Sequence, residues 1–244
     1  MIAAIHQPHY LPWLRYMHKL GSCDVFVLLD DVQFTKHGWQ NRNKIKGPNG
    51  PLLLTVPVRD ATFRPIDEVE INPDAVWREK HWKSILLSYG KAPYFRRFRD
   101  AFEHIYAANW ENLASLNLRI LAELVRSFGI HTRVVRSSEL GVPGQSTERL
   151  VNLCRRLDAS HYLTGTFAAG NHLDVEAFAA SGITLSVQAW KAPVYRQQFP
   201  GQGFISDLSA VDLLFNEGPR SLDIIMNSGD RDQTPAVSLG PSLV

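Results

Sequence analysis

Apolar residues along this chain fall into short runs whose spacing changes from place to place. Met1 to Ile5 is a brief apolar run that ends in the polar stretch His6-Gln7-Pro8-His9. A helical pattern through Met17 and Leu20 follows, then a second apolar run from Asp24 to Leu29 that ends in Asp30-Asp31-Val32-Gln33-Phe34. Strand, polar loop, helix, strand is the opening unit of an α/β domain, where ligands bind at loops leaving the carboxyl ends of strands. Pro51 to Val58 reads as a third strand, after a turn built from Gly47-Pro48-Asn49-Gly50. The pattern then becomes helical. Asn72 is a candidate cap for a helix with Pro73 at its first position and Asp74 at its positive end, running to Tyr89 and stopping at Gly90. Its apolar stripe is Trp82, Ile85, Leu86 and Tyr89.

Two further helices are predicted, over Tyr94 to Ala107 and over Glu111 to Phe128, the latter ended by Gly129. Strands then return at His131 to Val135, His161 to Thr164 and Ile183 to Gln188, with a helix capped by Ser146 before the second of these. The stretch from Asp207 to Phe215 is apolar and leads into a short helix after Pro219. From Ser228 onward the residues are polar, Gly/Pro-bearing and aperiodic, and predict a disordered tail over 228–244. The expectation is one α/β domain over 1–227 with a Rossmann-like, mainly parallel sheet and a helical insertion at about 73–129.

Composition narrows the function classes. With 26 basic and 24 acidic residues the net charge is +2, so no global field argues for nucleic acid or a membrane surface as partner. No apolar run approaches the roughly 20 residues that span a bilayer, and His6, Gln7 and His9 interrupt any signal-peptide core. Cys23 and Cys154 form no metal or redox spacing and suit a reducing cytosol. A cytoplasmic protein acting on a small molecule is expected.

The candidate chemistry gathers at the first two strand ends. His6 and His9, with Gln7 between them, stand at a strand-to-helix turn, where imidazolium donors and the helix N-terminus would stabilise a phosphate. Alternatively, His6 is bonded to backbone and His9 faces solvent in the turn. A zinc site is not indicated, because no third ligand sits at a usual spacing. Asp30 and Asp31, with Gln33, put two carboxylates and an amide at a buried strand end, suited to Mg²⁺ carried with a nucleotide, to a substrate amine, or to plain capping. The segment Lys36 to Lys46 is dense in hydrogen-bonding groups and predicts a flexible loop that grips ligand through Trp39, Asn41, Arg42 and Lys44.

The motifs Ile5-His-Gln-Pro-His-Tyr-Leu-Pro-Trp-Leu14, Ser22 to Phe34, Trp39-Gln-Asn-Arg-Asn-Lys44 and Leu54-Thr-Val-Pro57 resemble the WbqC-like protein family. The resemblance continues through Lys80-His81, Tyr89 to Phe95, Thr147 to Leu150, Tyr162 to Gly165 and Ser209 to Asn216, covering about residues 2 to 225. It implies a place in bacterial surface-polysaccharide (O-antigen) or specialised-metabolite biosynthesis. It also brings Lys80 and His81 in as contacts to phosphate or sugar.

The layout of the first loop is also similar to pantothenate synthetase and other class I nucleotidylyl transferases, which apply a His-x-x-His loop to ATP phosphates. His9 matches their first histidine but Pro12 stands in place of the second, and pairing His6 with His9 moves the motif close to the strand. A Ser/Thr…Arg signature has a counterpart in Gly144 to Arg149, one residue shorter, although Ser146 as a simple cap also explains it. On this likeness Thr147, Arg149, Thr164 and Gly165 would contact a nucleotide, with ATP and Mg²⁺ as cosubstrate. The expected activity is transfer of an acyl or aminoacyl group to an amine of a nucleotide-linked sugar or metabolite; the alternative is a non-catalytic sugar-nucleotide-binding or assembly protein.

Overall fold

A computed structural model describes residues 1–73, 76–166 and 173–228. Five strands, Ile2–His6 (β1), Val25–Leu28 (β2), Arg133–Arg136 (β7), His161–Thr164 (β8) and Thr184–Val187 (β9), form one wholly parallel sheet in the order β7-β2-β1-β8-β9. Numbered by their own succession the strands run 3-2-1-4-5, the Rossmann order, so the Rossmann-like expectation holds. The strand order reverses between β1 and β8, and the crevice at their carboxyl ends is flanked by His6 and Thr164.

Alternating side chains divide the sheet between two cores. Ala3, Ile5, Val25, Val27 and Tyr162 face Val151, Cys154 and Phe178 of the helices Ser146–Arg156 (α6) and Val175–Ala180 (α7). Ala4, Phe26, Leu28 and Leu163 face a larger core, led by the helix Leu14–Gly21 (α1), in which Tyr16, Met17 and Leu20 are buried. The helices Trp77–Tyr89 (α2), Phe95–Ala107 (α3) and Leu113–Phe128 (α4) pack into this same core. So do Ala210–Glu217 (α8) and Ser221–Met226 (α9).

Several sequence expectations are corrected here. The residues after Thr55 and before it do not add a third strand to the main sheet. Instead Arg42–Gly47 (β3) and Gly50–Thr55 (β4) form a separate antiparallel hairpin, and Val58–Arg59 (β5) pairs with Glu70–Ile71 (β6) in a second. The polar segment read as a flexible loop is therefore a strand from Arg42 onward. Its period-two burial was hidden because inward-facing Asn43 is polar: Asn43 Nδ2 donates to the Leu11 carbonyl at 2.6 Å. Helix α2 begins at Trp77 rather than Pro73, with Val76 in the cap position; Asp74 lies outside the described residues. Asn72 is engaged by Arg59 Nε at 3.3 Å. Gln145, not Ser146, precedes the first residue of α6, whereas Asn112 caps α4 by accepting from the Ser115 amide at 2.9 Å. Strand β7 starts two residues later than expected. The tail from 229 lies outside the described residues.

Gly218 ends α8 at φ 56° and ψ −123°, a conformation open to glycine alone, and a Cβ there would fall 2.4 Å from the Tyr94 ring. Gly218→Ala should therefore destabilise by about 2 kcal/mol or more through overpacking and backbone strain. Urea unfolding of the variant measures this, and an unchanged midpoint would refute the tight approach.

Candidate functional site

The loop between β1 and α1 closes over the carboxyl edge of the sheet. Leu11 turns it with φ 44°, and later elements hold it: the Trp39 carbonyl accepts from the Tyr10 amide at 3.2 Å, and the Pro12 carbonyl accepts from the Ala210 amide at 2.8 Å. The Tyr10 hydroxyl joins His81 Nδ1 at 2.8 Å and the Tyr106 hydroxyl at 2.7 Å. His81 is thus a buried latch between α2 and the loop, with its imidazole lowered by burial to about 4. Lys80, its neighbour, is exposed on the outer face of α2.

Within this frame the His6 and His9 rings meet edge to face, 4.7 Å between centroids, and both pack on Tyr16 at 4.8 and 5.4 Å. Burial, then the neighbouring Lys19, lowers His9 to about 3; burial, then His9 and Lys19, also lowers His6 well below the usual range. Both are neutral at pH 7, so charged imidazolium donors, the state expected from the sequence, are not the resting form. His6 Nδ1 lies 3.1 Å from the Gln7 carbonyl, which can only accept, so Nδ1 carries the proton and Nε2 is the basic nitrogen. His9 is 6% exposed, and its Nδ1 is buried with no hydrogen-bond partner.

Trp13 joins this pair to a cavity of about 310 Å³, its ring 5.4 Å from His9 and 4.9 Å from Trp39. Trp190, Tyr195 and Phe204 complete the aromatic walls, Arg15 and Lys44 bring two positive charges and Asp207 one negative charge. Lys44 sits 6.0 Å from the Trp39 ring centre. Trp190 contacts His18, which is bonded to Gln188 just past β9 at 2.7 Å. Flat apolar walls with a few cations suit a ring-bearing, anionic ligand.

The remaining candidates scatter. Gln7 Oε1 accepts from Gln40 Nε2 at 2.7 Å beside the histidines, while Gln33 is exposed and Asn41 is buried, donating to the Val56 carbonyl at 2.8 Å. Arg42 lies 3.2 Å from His37. Asp30 and Asp31 sit on the same sheet edge as His9 but turn towards β7, the short helix Ser137–Leu140 (α5) and α6. The Asp30 carboxylate takes Arg136 Nε at 2.6 Å, the Ser138 amide at 3.0 Å and the Ser138 hydroxyl at 2.9 Å. Burial alone would raise this carboxyl; the Ser138 amide and Arg136 outweigh it and hold it below the usual range. Asp31 accepts from the Ser137 hydroxyl at 2.5 Å and pairs with Arg149, so the guanidinium expected on a phosphate faces a carboxylate. Thr147 is buried and accepts from the Asp174 amide at 3.0 Å. Thr164 is buried at the end of β8, and Gly165 follows it.

Protein donors thus engage both carboxylates from the side of β7, α5 and α6. Among the described residues no group of three His, Cys, Asp or Glu is arranged to hold a metal. Sequence reasoning passed over Lys19, Tyr16, Arg15 and Trp190. Lys19 in the last turn of α1 reads as an ordinary cation at a helix C-terminus, and Trp190 falls in a stretch with no periodicity.

The family model of the WbqC-like proteins matches residues 7–224. The chain belongs to the WbqC-like protein family. It is also similar to the uncharacterized protein Rv1507c of Mycobacterium tuberculosis, 34% identical over 227 residues, which cover 91% of this chain and 96% of that one. No solved structure gives a significant match. Across the described residues of this WbqC-like chain no helix is long and apolar enough to cross a membrane.

The buried histidines give a pH signature. His9 and His81 have folded midpoints of about 3 and 4 against an ordinary 6.5, so between these values the unfolded chain binds more protons than the folded one. Stability is then complete above about pH 6.5 and falls as pH drops towards 4, by up to about 1.4 kcal/mol per pH unit for each histidine. Urea midpoints at pH 7, 5.5 and 4.5 should decline in order. Equal midpoints would contradict the burial of neutral imidazoles.

Proposed function

We propose that this WbqC-like protein is a biosynthetic enzyme that transfers an acyl or aminoacyl group to an amine of a nucleotide-linked sugar or metabolite in surface-polysaccharide or specialised-metabolite assembly. One observation carries the reading: a neutral His6–His9 pair at the strand-order reversal, next to an aromatic, cation-bearing cavity. Acyl transfer needs a base that is unprotonated at neutral pH and close to a pocket for the acceptor. In this scheme the acceptor amine attacks the acyl carbonyl while His6 Nε2 takes the amine proton. A carbon–nitrogen bond forms, and the leaving oxygen departs with the electron pair of the broken bond. ATP enters as the activating cosubstrate that makes this oxygen a phosphate or an adenylate.

Trp39 and Trp190 would stack on the ring of the acceptor, and Lys44 and Arg15 would meet its anionic groups. Gln7 would orient the acceptor through its contact with Gln40. Arg42 borders the same hairpin. Asp30, Asp31, Arg136 and Arg149 act as the brace that fixes the β2 end, and His81 fixes the loop; neither group is assigned contact with substrate. A sugar-nucleotide-binding protein without catalysis would use the same cavity and would release neither phosphate nor pyrophosphate.

His6→Asn should lower kcat by roughly 10²–10⁴ with little change in Tm, since His6 is only half-buried. Alanine at the more buried His9 would leave a void among three rings and cost stability as well. Trp190→Ala should raise KM by roughly fivefold, matching about 1 kcal/mol for one aromatic contact. These effects are read by phosphate and pyrophosphate release with ATP, a panel of amino acids and an amino-sugar nucleotide. No release with any acyl donor would leave the binding-protein reading in its place.

A further inference from the structure

Lys19 combines deep burial with the lack of a counter-charge among the described residues. It lies one turn after Tyr16 on α1, and its side chain is 6% exposed. Helical side chains tilt towards the helix N-terminus, so Lys19 reaches back to the carboxyl edge of the sheet. There its ammonium comes within 3.9 Å of where a Cβ on Gly165 would stand, at the end of β8. Among the described residues it forms no ion pair or side-chain hydrogen bond. The titratable groups that it senses are His6, His9 and Cys23. All three are uncharged at neutral pH, the thiol being pushed up to about 12 by burial. Burial correspondingly lowers Lys19 itself to about 8.

A desolvated ammonium without a partner opposes folding, and methionine would fill the same space without that penalty. An unpaired amine kept at the strand-order reversal, where sheets of this order hold their ligands, is best explained by an anion that binds there. We propose that Lys19 receives a phosphoryl group of the substrate in the crevice between β1 and β8, beside Gly165. The inference rests on the nucleotide-linked substrate of the reading above. A phosphoryl group is favoured over a carboxylate because several oxygens can be shared between one point-charge lysine and the adjacent imidazole of His9, whose Nδ1 has no partner within the protein.

The test uses inorganic pyrophosphate and phosphate, with acetate at matched ionic strength, on the full chain. Pyrophosphate should raise Tm in a concentration-dependent way. Its affinity should fall roughly tenfold to a hundredfold in Lys19→Met, the loss typical of one charged hydrogen bond, and stay unchanged in Lys83→Met on the exposed face of α2. Independently of that variant's folding, an NMR titration of the Lys19 side chain should move its midpoint upward from about 8 when pyrophosphate is added. Equal pyrophosphate binding by Lys19→Met, equal stabilisation by acetate, or an unmoved midpoint would overturn the proposal. Pyrophosphate binding through Lys19 without any acyl transfer would uphold it while removing the enzymatic reading. Acyl transfer unaffected by Lys19→Met would do the reverse.

Discussion

A polar loop buried at the end of a central strand must find a partner for each backbone group it takes out of water, and much of this structure supplies those partners. The loop after β1 carries one histidine and two prolines, directly after His6 ends the strand, and it lies under α1 rather than in solvent. The Leu11 carbonyl is met by Asn43 and the Pro12 carbonyl by the Ala210 amide, while the Tyr10 amide donates to the Trp39 carbonyl. The hairpin and the helix at 210–217 are thereby tied to a single turn, and the Tyr10 hydroxyl joins it to His81 and Tyr106 of α2 and α3. Leaving any of these groups unmet would cost about 1–3 kcal/mol, a large share of an ordinary stability margin.

Two kinds of charge management follow. At the β2 end, Asp30 and Asp31 are neutralised by Arg136 and Arg149 and bonded to Ser137 and Ser138, so burial is offset within the protein. Another enclosed knot does the same where Lys46 Nζ meets Gln197 and the Gly203 carbonyl, close to Asp212 and the Tyr195 hydroxyl. At the β1–β8 crevice the described residues offer no such offset. His6, His9 and Lys19 crowd together; Lys19 lowers the proton affinity of both histidines, and His9 lowers that of His6. Paired charges brace the sheet, whereas the uncompensated cluster is the part able to respond to an incoming anion.

The aromatic cavity shows how the two cores communicate with the crevice. Trp13 is at once the residue before α1, the neighbour of His9 and a wall shared with Trp39. Trp190 reaches the same space from beyond β9 and is steadied through His18 and Gln188. Residues from the first loop, the hairpin and the last strand therefore meet around one volume.

Alternation and helical spacing by themselves determined the strands that make the parallel sheet, the helices ending at Tyr89, Ala107 and Phe128, and the position of the first loop at a strand's carboxyl end. These are local consequences of which face is apolar. The family was legible too, because its motifs are continuous stretches of sequence. The strand at Arg42–Gly47 was not legible, since its buried position is an asparagine whose partner lies 32 residues away. Tertiary structure alone decided that Arg136 neutralises Asp30 and Arg149 neutralises Asp31, that His81 is a latch, and that Lys19 stands beside His6 and His9 with no counter-charge among the described residues. Charge, proton affinity and hydrogen-bond partners depend on which distant segments exclude water from a side chain, and no local pattern encodes that.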